Sequence, residues 1–215
     1  CSLFAEGVPL YSADLAAFVA LLAEGCARLA GRLNLPEEET RWSAASRSVI
    51  DRMISHLWDG ERFQARLVST DEIVPSHCVL AMLPVMLGDR LPPAILSSLI
   101  SRLSDEQEYL APHGISLEPL SERKGDGLPQ GTVAFISALF AVALAYIGRK
   151  DLAREIARRS ADQLLESGFG FLTVPGPKDT PVTDPTLPRR KSAAPVSKWS
   201  SWTCACYIIL ADLAR

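Results

Sequence analysis

The sequence predicts an all-α fold, and two features of its 215 residues carry that prediction. Helical segments that are apolar on every side alternate with segments that have one apolar stripe; the first kind must be surrounded by protein, and the second kind covers it. The connections also alternate in length: the short ones lie around Asn34, at 88–91 and at 148–150, and the long ones span 58–75, 104–128 and 166–198. Together these features predict a partial (α/α)6 toroid of alternating inner and outer helices, with the long loops on one rim that we expect to be the functional one.

The first helical pair begins at Asp14. Apolar residues recur at helical spacing from Leu15 to Leu33, and most of the remaining positions are alanine, so we expect this helix to be buried on nearly all sides. Pro36 opens the second helix, and the glutamates that follow it suit the positive end of a helix dipole. A single apolar stripe makes this second helix an outer one: Trp42, Ala45, Val49, Met53 and Leu57.

The second pair consists of an apolar segment at 76–87, where Pro84 predicts a kink, and an amphipathic segment at 92–103. The third pair consists of an apolar helix inside 125–148 and an amphipathic helix at 151–165. A further apolar helix follows at 203–214, so the chain contains three and a half pairs. Since a six-pair ring needs more, we expect residues 1–215 to be the C-terminal part of a single toroid domain whose N-terminal half lies upstream.

One short strand signal interrupts the helices. Asp59 and Gly60 lie between Trp58 and Phe63, and apolar residues alternate beyond them at Phe63, Ala65 and Leu67. A turn dipeptide flanked by such alternation predicts a small β-hairpin, which lies on the rim of the predicted toroid.

The composition excludes several classes of protein. Apolar residues make up 48% and charged residues 22%, which is typical of a globular domain, and the net charge of −3 offers no basic field. We therefore expect no nucleic-acid partner and no membrane partner, and the longest apolar run is shorter than the ~20 residues of a membrane span. The absence of CxxC and the three widely separated histidines predict no metal site and no cofactor.

The five cysteines are odd in number, and three of them lie in apolar helical segments. This usage indicates small buried thiols in a reducing compartment, and so a cytoplasmic protein. The chain begins with Cys1, which fits either a piece of a longer protein or a processed lipoprotein. The first residues are apolar at once and lack a polar tether, so we expect a piece of a longer protein.

Several segments, taken in order, resemble one known family. They are SADLAAFVALLAEGCARLAGRL, LWDGERFQAR, LPVMLGDRLPPAILSSLISRL, HGISLEPLSE, QGTV, YIGRKDLAREIARR and KWSSWTCACYIILA. They resemble the (α/α)6-barrel glycoside hydrolases, above all the α-glucosidases related to mannosyl-oligosaccharide glucosidase, with the trehalases and the glucosidase domain of glycogen-debranching enzymes nearby. The resemblance covers nearly the whole chain, but only the C-terminal half of that family's catalytic domain. It implies hydrolysis of oligosaccharides by an α-glucosidase-like, inverting enzyme.

The sequence departs from the family at several points. Ala134 stands where a tryptophan often follows the glycine of the QGTV segment, and no arginine separates Ile115 from Ser116. Phe171 or Leu172 occupies the place where the resemblance implies a catalytic glutamate. These departures keep a second interpretation open, a non-catalytic carbohydrate-binding or scaffolding toroid, and a third, a toroid that processes something other than sugar.

Glycoside hydrolysis usually requires two carboxylates, a general acid and a second group that activates water in an inverting enzyme. The resemblance implies that the acid lies before or near residue 1, so the candidates in this chain are Asp179, Asp184 and Glu118. A lone carboxylate in a loop is more often simply solvated.

Four residues are candidates for contact with a sugar. Trp58 and Trp199 carry aromatic faces that suit stacking on a sugar ring, and Gln130 can hydrogen-bond a hydroxyl group. His113 precedes Gly114 on a rim loop. Structural alternatives remain for two of them, since His113 can shape a turn and Gln130 can cap the following helix.

Overall fold

The computed structural model describes residues 9–74, 77–122, 133–167 and 201–215. The predicted all-α class is confirmed, because helices dominate these residues and the strands are two or three residues long. The chain divides into two compact units after Tyr109. No helix in the described ranges is long and apolar enough to span a membrane.

The first unit contains three α-helices, a long 3-10 helix and a small sheet. Its elements are β1 (Leu10–Tyr11), α1 (Ala13–Arg32), α2 (Pro36–Leu57), β2 (Ala65–Leu67), β3 (Ile73–Val74), the 3-10 helix (Val79–Arg90) and α3 (Pro93–Leu103). The two helices predicted to be inner ones, α1 and the 3-10 helix, contact each other, while α2 packs along α1 and α3 packs against the 3-10 helix. This order of contacts agrees with the inner and outer layers of a partial toroid.

Helix α1 buries its alanine face. Six alanines spaced three or four residues apart are 5% exposed or less, and they are Ala13, Ala17, Ala20, Ala23, Ala27 and Ala30. Their small side chains allow α2 to approach closely, so that the Ser46 hydroxyl on α2 donates a hydrogen bond to the Ala20 carbonyl oxygen at 2.9 Å.

The expectation that α1 is buried on nearly all sides is wrong for this chain. Leu15, Leu22 and Leu29 are 59%, 68% and 57% exposed. The reason is geometric: the alanine face fits against α2 and the 3-10 helix, and the larger side chains therefore point to the opposite side, where no described element of this unit covers them.

The segment predicted as an apolar helix at 76–87 is buried as expected but is not an α-helix. It forms the 3-10 helix Val79–Arg90, and Val79, Val85 and Leu87 have no exposed surface. In an α-helix the ring of Pro84 would clash with the carbonyl group four residues earlier, which disfavours α-helical bonding in this segment. The break in the backbone lies at Gly88, whose φ of 58° and ψ of −127° are non-helical, and not at Pro84.

The cysteines do not all behave as predicted. Cys26, Cys204 and Cys206 are free, and burial raises the pKa of the Cys206 thiol, as expected for a thiol that serves as a small apolar group. Cys78, in contrast, is disulfide-bonded. The interpretation as a buried thiol is therefore wrong for Cys78, and such a bond is rare in the reducing compartment that we inferred.

The second unit contains a two-stranded hairpin and three helices. Its elements are β4 (Leu110–Ala111), β5 (Gly114–Ile115), a short 3-10 turn (Leu120–Glu122), α4 (Ala134–Tyr146), α5 (Lys150–Ser167) and α6 (Ser201–Leu213). The three helices contact one another, and β5 lies against α4 and α5. The fully buried core includes Phe140, Leu144, Ile156 and Leu210.

Candidate functional site

The predicted rim hairpin is present directly after α2. Trp58 and Phe63 form an antiparallel bridge, and their rings meet edge to face with centroids 4.9 Å apart. Phe63 is 1% exposed and anchors the hairpin, whereas Trp58 is only half-buried. The hairpin therefore places an accessible indole at the end of an outer helix.

Asp59 organises the turn of this hairpin. Its Oδ1 accepts hydrogen bonds from the amides of Glu61 and Arg62, each at 2.8 Å, and its Oδ2 accepts one from Gln64 Nε2 at 2.6 Å. Gly60 supplies the positive φ of 105° that the turn requires. Partial burial alone raises the pKa of Asp59, but the bonds from the Arg62 amide, Gln64 and the Glu61 amide outweigh it, so the pKa lies below its ordinary value.

We expect Asp59→Asn to lower the free energy of unfolding by about 1 kcal/mol at pH 7, since it weakens hydrogen bonds to a charged acceptor on an exposed turn. The pKa of Asp59 is lower in the folded protein than in the unfolded chain. The stabilisation is therefore fully present at a pH above the unfolded-state pKa, and it is lost as the pH falls through the folded-state pKa. Urea midpoints of the two proteins should differ at pH 7 and converge near pH 2. Asp89→Asn is the control because that side chain is 98% exposed, and equal losses at both pH values would contradict the prediction.

Two further strands, which the sequence did not predict, extend the rim of the first unit. Strand β2 pairs with β1 on one side and with β3 on the other, both antiparallel, with Leu10 opposite Leu67 and Ala65 opposite Val74. The sheet therefore joins the segment before α1 to the long loop after α2. Strands this short show no periodicity in the sequence, which is why only the alternation after Phe63 was visible.

A groove of about 790 Å³ lies beside this sheet, between the start of α1 and the end of α2. Its wall is apolar and includes Leu15, Val19, Val49 and Met53. At its polar end His56 Nε2 lies 2.8 Å from Asp71 Oδ1, and the Tyr11 ring meets the His56 ring edge to face at 5.3 Å between centroids. No sequence pattern marks these three polar residues as a group, because they lie on β1, on α2 and in the turn between β2 and β3 and meet only in the folded chain.

The second unit has a short hairpin of its own, β4–β5. His113 lies in its turn and is half-buried. Helix α5 holds the first strand, since Arg159 NH1 donates to the carbonyl oxygens of Leu110 at 3.4 Å and Ala111 at 3.2 Å. Helix α4 holds the second strand, because the Ile115 amide donates to Ser137 Oγ at 3.1 Å.

Three of the seven predicted site residues lie in the described part of the chain. Trp58 lies on the hairpin of the first unit, and His113 and Glu118 lie on the hairpin and the loop that follows it in the second unit. The Glu118 side chain is exposed, and its carbonyl oxygen accepts a hydrogen bond from the buried Ser116 hydroxyl at 2.6 Å. The other four residues lie outside the described ranges: Asp179, Asp184, Gln130 and Trp199.

The described residues contain no cluster of three or more histidine, cysteine or acidic side chains that could hold a metal ion. They contain two short hairpins, one in each unit, and each is held by side-chain hydrogen bonds and carries one partly exposed ring, that of Trp58 or that of His113.

Paired helices with short ordered hairpins in the loops between them make this an all-α domain of helical hairpins. The family model described as the mannosylglycerate hydrolase MGH1-like glycoside hydrolase domain matches residues 3–170, and the chain belongs to this family. The predicted relation to the glycoside hydrolases is therefore confirmed. No curated protein matches the chain significantly.

A solved structure described as a sialidase has a similar fold. It is 12% identical, with a TM-score of 0.61, and the match covers 75% of this chain and 17% of that one. At this identity the similarity concerns the fold alone, and the present chain spans only 17% of the length of that protein.

Proposed function

We propose that the protein to which this chain belongs hydrolyses O-glycosidic bonds of oligosaccharides, with an α-glucosidase-like preference and inversion at the anomeric carbon. The observation that carries the proposal is the family match over residues 3–170. The rim supports it, because both described hairpins are held by hydrogen bonds and leave ring surface accessible.

We propose that Trp58 and His113 contact the sugar, together with Gln130 and Trp199. The Trp58 and Phe63 rings meet edge to face, which holds the indole in place, and the indole is only half-buried, so part of it is accessible to the apolar face of a sugar ring. His113 is partly exposed, and α4 and α5 both hold the hairpin whose turn contains it. Its imidazole can therefore donate or accept a hydrogen bond at a defined position.

For the carboxylates we propose Asp179, Asp184 and Glu118 as the candidates for the group that activates water. In an inverting enzyme this group lies about 6.5–9.5 Å from the general acid, which leaves room for the attacking water. Among the candidates that the structure describes, Glu118 meets the requirement of access, since its side chain is exposed on the loop that follows the β4–β5 hairpin.

We further propose that an upstream part of the same domain covers the exposed apolar face of α1. Leu15, Leu22 and Leu29 recur every seven residues along that face and are all more than half exposed. The groove beside α1 continues the same apolar surface through Val19 and Met53. A helix-lined surface of this kind fits another helix of a toroid, whose apolar side would lie along it.

The test uses the protein with its natural upstream sequence. It is incubated with α-glucosides and, because the family description names mannosylglycerate, with that compound as well, and NMR identifies the anomer released first. We expect hydrolysis with inversion, and we expect the substitution at the true base, among Asp179→Asn, Asp184→Asn and Glu118→Gln, to reduce kcat by about 10²–10⁴-fold.

Glu166→Gln, an exposed carboxylate near the end of α5, is the control and should keep full activity. Full activity of all three candidate variants would refute the assignment of the base. Retention of configuration would refute the inverting mechanism. Quenching of tryptophan fluorescence by sugars without any hydrolysis would favour the carbohydrate-binding toroid instead.

A further inference from the structure

Helix α5 makes an unusual connection to the β4–β5 hairpin through one side chain. Arg159 is 16% exposed, and its guanidinium contacts two groups at once: Nε lies 2.7 Å from Glu155 Oε1, while NH1 donates to the carbonyl oxygens of Leu110 and Ala111. These carbonyl groups belong to strand β4, immediately before the turn that carries His113. The arginine therefore fixes the position of one arm of the hairpin relative to α5.

The other arm is fixed separately. Ser137 on α4 accepts the hydrogen bond of the Ile115 amide, and Gly114 lies so close to α5 that a Cβ atom there would overlap Ser160 Oγ. The hydrogen bonds of the two arms thus come from different helices, the first from α5 and the second from α4, and the second arm also packs on α5. The turn between the arms, which contains His113, is therefore held on both sides.

We propose that Arg159 is a positioning residue of the sugar-binding rim: by holding β4 through two carbonyl groups, it places His113 where the substrate contacts it. The proposal rests on the proposed function, since it presupposes that His113 touches the sugar. In this proposal helix α5 affects the affinity for substrate indirectly, through the β4–β5 hairpin, and does not touch the substrate itself.

The electrostatic setting of Arg159 suits this role. The hydrogen bonds from Arg159 and then from Arg158 hold the pKa of Glu155 below its ordinary value, so the carboxylate is ionised at neutral pH and orients the guanidinium. A planar guanidinium can address a carboxylate through Nε and backbone oxygens through NH1 at the same time. A lysine ammonium has no such fork and cannot reproduce both contacts in one geometry.

Arg158 provides a matched control. It also pairs with Glu155, through NH2 at 2.9 Å, but its side chain is 56% exposed, and its hydrogen bonds go to Glu155 and Asp162 on its own helix. Arg158→Met and Arg159→Met each remove one cation from the same carboxylate, and only the second removes the bonds to Leu110 and Ala111.

The experiment measures kcat and KM of the active protein and the hydrogen exchange of residues 110–116. We expect Arg159→Met to raise KM about tenfold with little change in kcat, because a displaced His113 would weaken a contact made equally with the bound substrate and with the transition state. Exchange of the Ile115 amide should be faster as well. Arg159→Lys should resemble Arg159→Met, and Arg158→Met should resemble the wild type in both readouts.

A double variant tests whether Arg159 affects KM through His113. If Arg159 acts through His113, Arg159→Met added to His113→Ala should raise KM no further, whereas additive effects would refute the proposal. A lower melting temperature of Arg159→Met with an unchanged KM would also refute it. A wild type that neither binds nor cleaves any sugar would refute the proposed function itself. An active wild type with an Arg159 variant of unaltered kinetics would instead refute only the role of Arg159.

Discussion

Gly114→Ala should destabilise the chain by about 4 kcal/mol, because it adds backbone strain and a steric overlap at the same position. Gly114 has a φ of 111°, a conformation that costs other residues about 1–3 kcal/mol. A Cβ atom would also overlap Ser160 Oγ and would lie 2.8 Å from Ser137 Oγ, so the hairpin would have to move away from α4 and α5. Overpacking of this kind adds about 1–3 kcal/mol.

Gly60→Ala separates the two contributions. Gly60 has nearly the same φ, 105°, but a Cβ atom there would meet nothing within 4 Å. Its substitution should therefore cost only the backbone term, about 1–2 kcal/mol. Chemical denaturation of both variants measures the difference, and equal losses would show that the contact with the two serines is relieved at no cost.

Ser160→Ala tests the contact from the other side. The Ser160 hydroxyl is buried and has no hydrogen-bond partner among the described residues, so its removal should be close to neutral. In combination with Gly114→Ala it should recover part of the lost stability, because the worst overlap disappears. No recovery in the double variant would contradict the assignment of strain to this pair.

Leu22→Ala should destabilise a protein that contains the upstream part of the domain much more than it destabilises the 215-residue chain. In the 215-residue chain the side chain is 68% exposed, and its truncation should change the free energy of unfolding by less than about 0.5 kcal/mol. In a protein that contains the upstream part of the domain we expect a loss of about 2–4 kcal/mol, since the leucine would then be buried against another helix.

Leu83→Ala is the control for this comparison. Leu83 is 1% exposed within the first unit, so its truncation should cost about 2–5 kcal/mol in both proteins. Thermal or urea denaturation of both variants, each made in the 215-residue chain and in the longer protein, gives the four changes in the free energy of unfolding. A loss of less than about 0.5 kcal/mol for Leu22→Ala in the longer protein would contradict the proposal that upstream helices cover α1.

The helix boundaries could be predicted from the sequence because residues at or next to each boundary determine them. Pro36 and Pro93 start α2 and α3 as expected from proline in a first helical turn, and the bounds of α1 and α5 lie within two residues of the predicted ones. The Asp59–Gly60 turn is local in the same sense, since its hydrogen bonds join residues no more than five apart. Family membership was also accessible, because it depends on the order of such segments.

The groove and the attachment of the β4–β5 hairpin were harder to predict from the sequence, because residues far apart in the chain build them. The groove needs β1 beside β2, which pairs Tyr11 with Arg66 across more than fifty positions of the chain. The hold of Arg159 on Leu110 and Ala111 likewise spans 49 and 48 residues. In the sequence Arg159 is one arginine among several on the polar side of an amphipathic helix, and nothing local distinguishes it from Arg158.

Patterns in the sequence were sufficient to predict the all-α class, the hairpin at Trp58 and the relation to the glycoside hydrolases. Contacts in the folded chain were needed to show which face of α1 is buried, that the segment around Pro84 forms a 3-10 helix, and which side chains hold the β4–β5 hairpin. The physical reason is that periodicity specifies a face by its apolar character, and alanine and leucine are both apolar. Close packing then selects the smaller side chain for the interface, and that choice depends on the neighbouring helix.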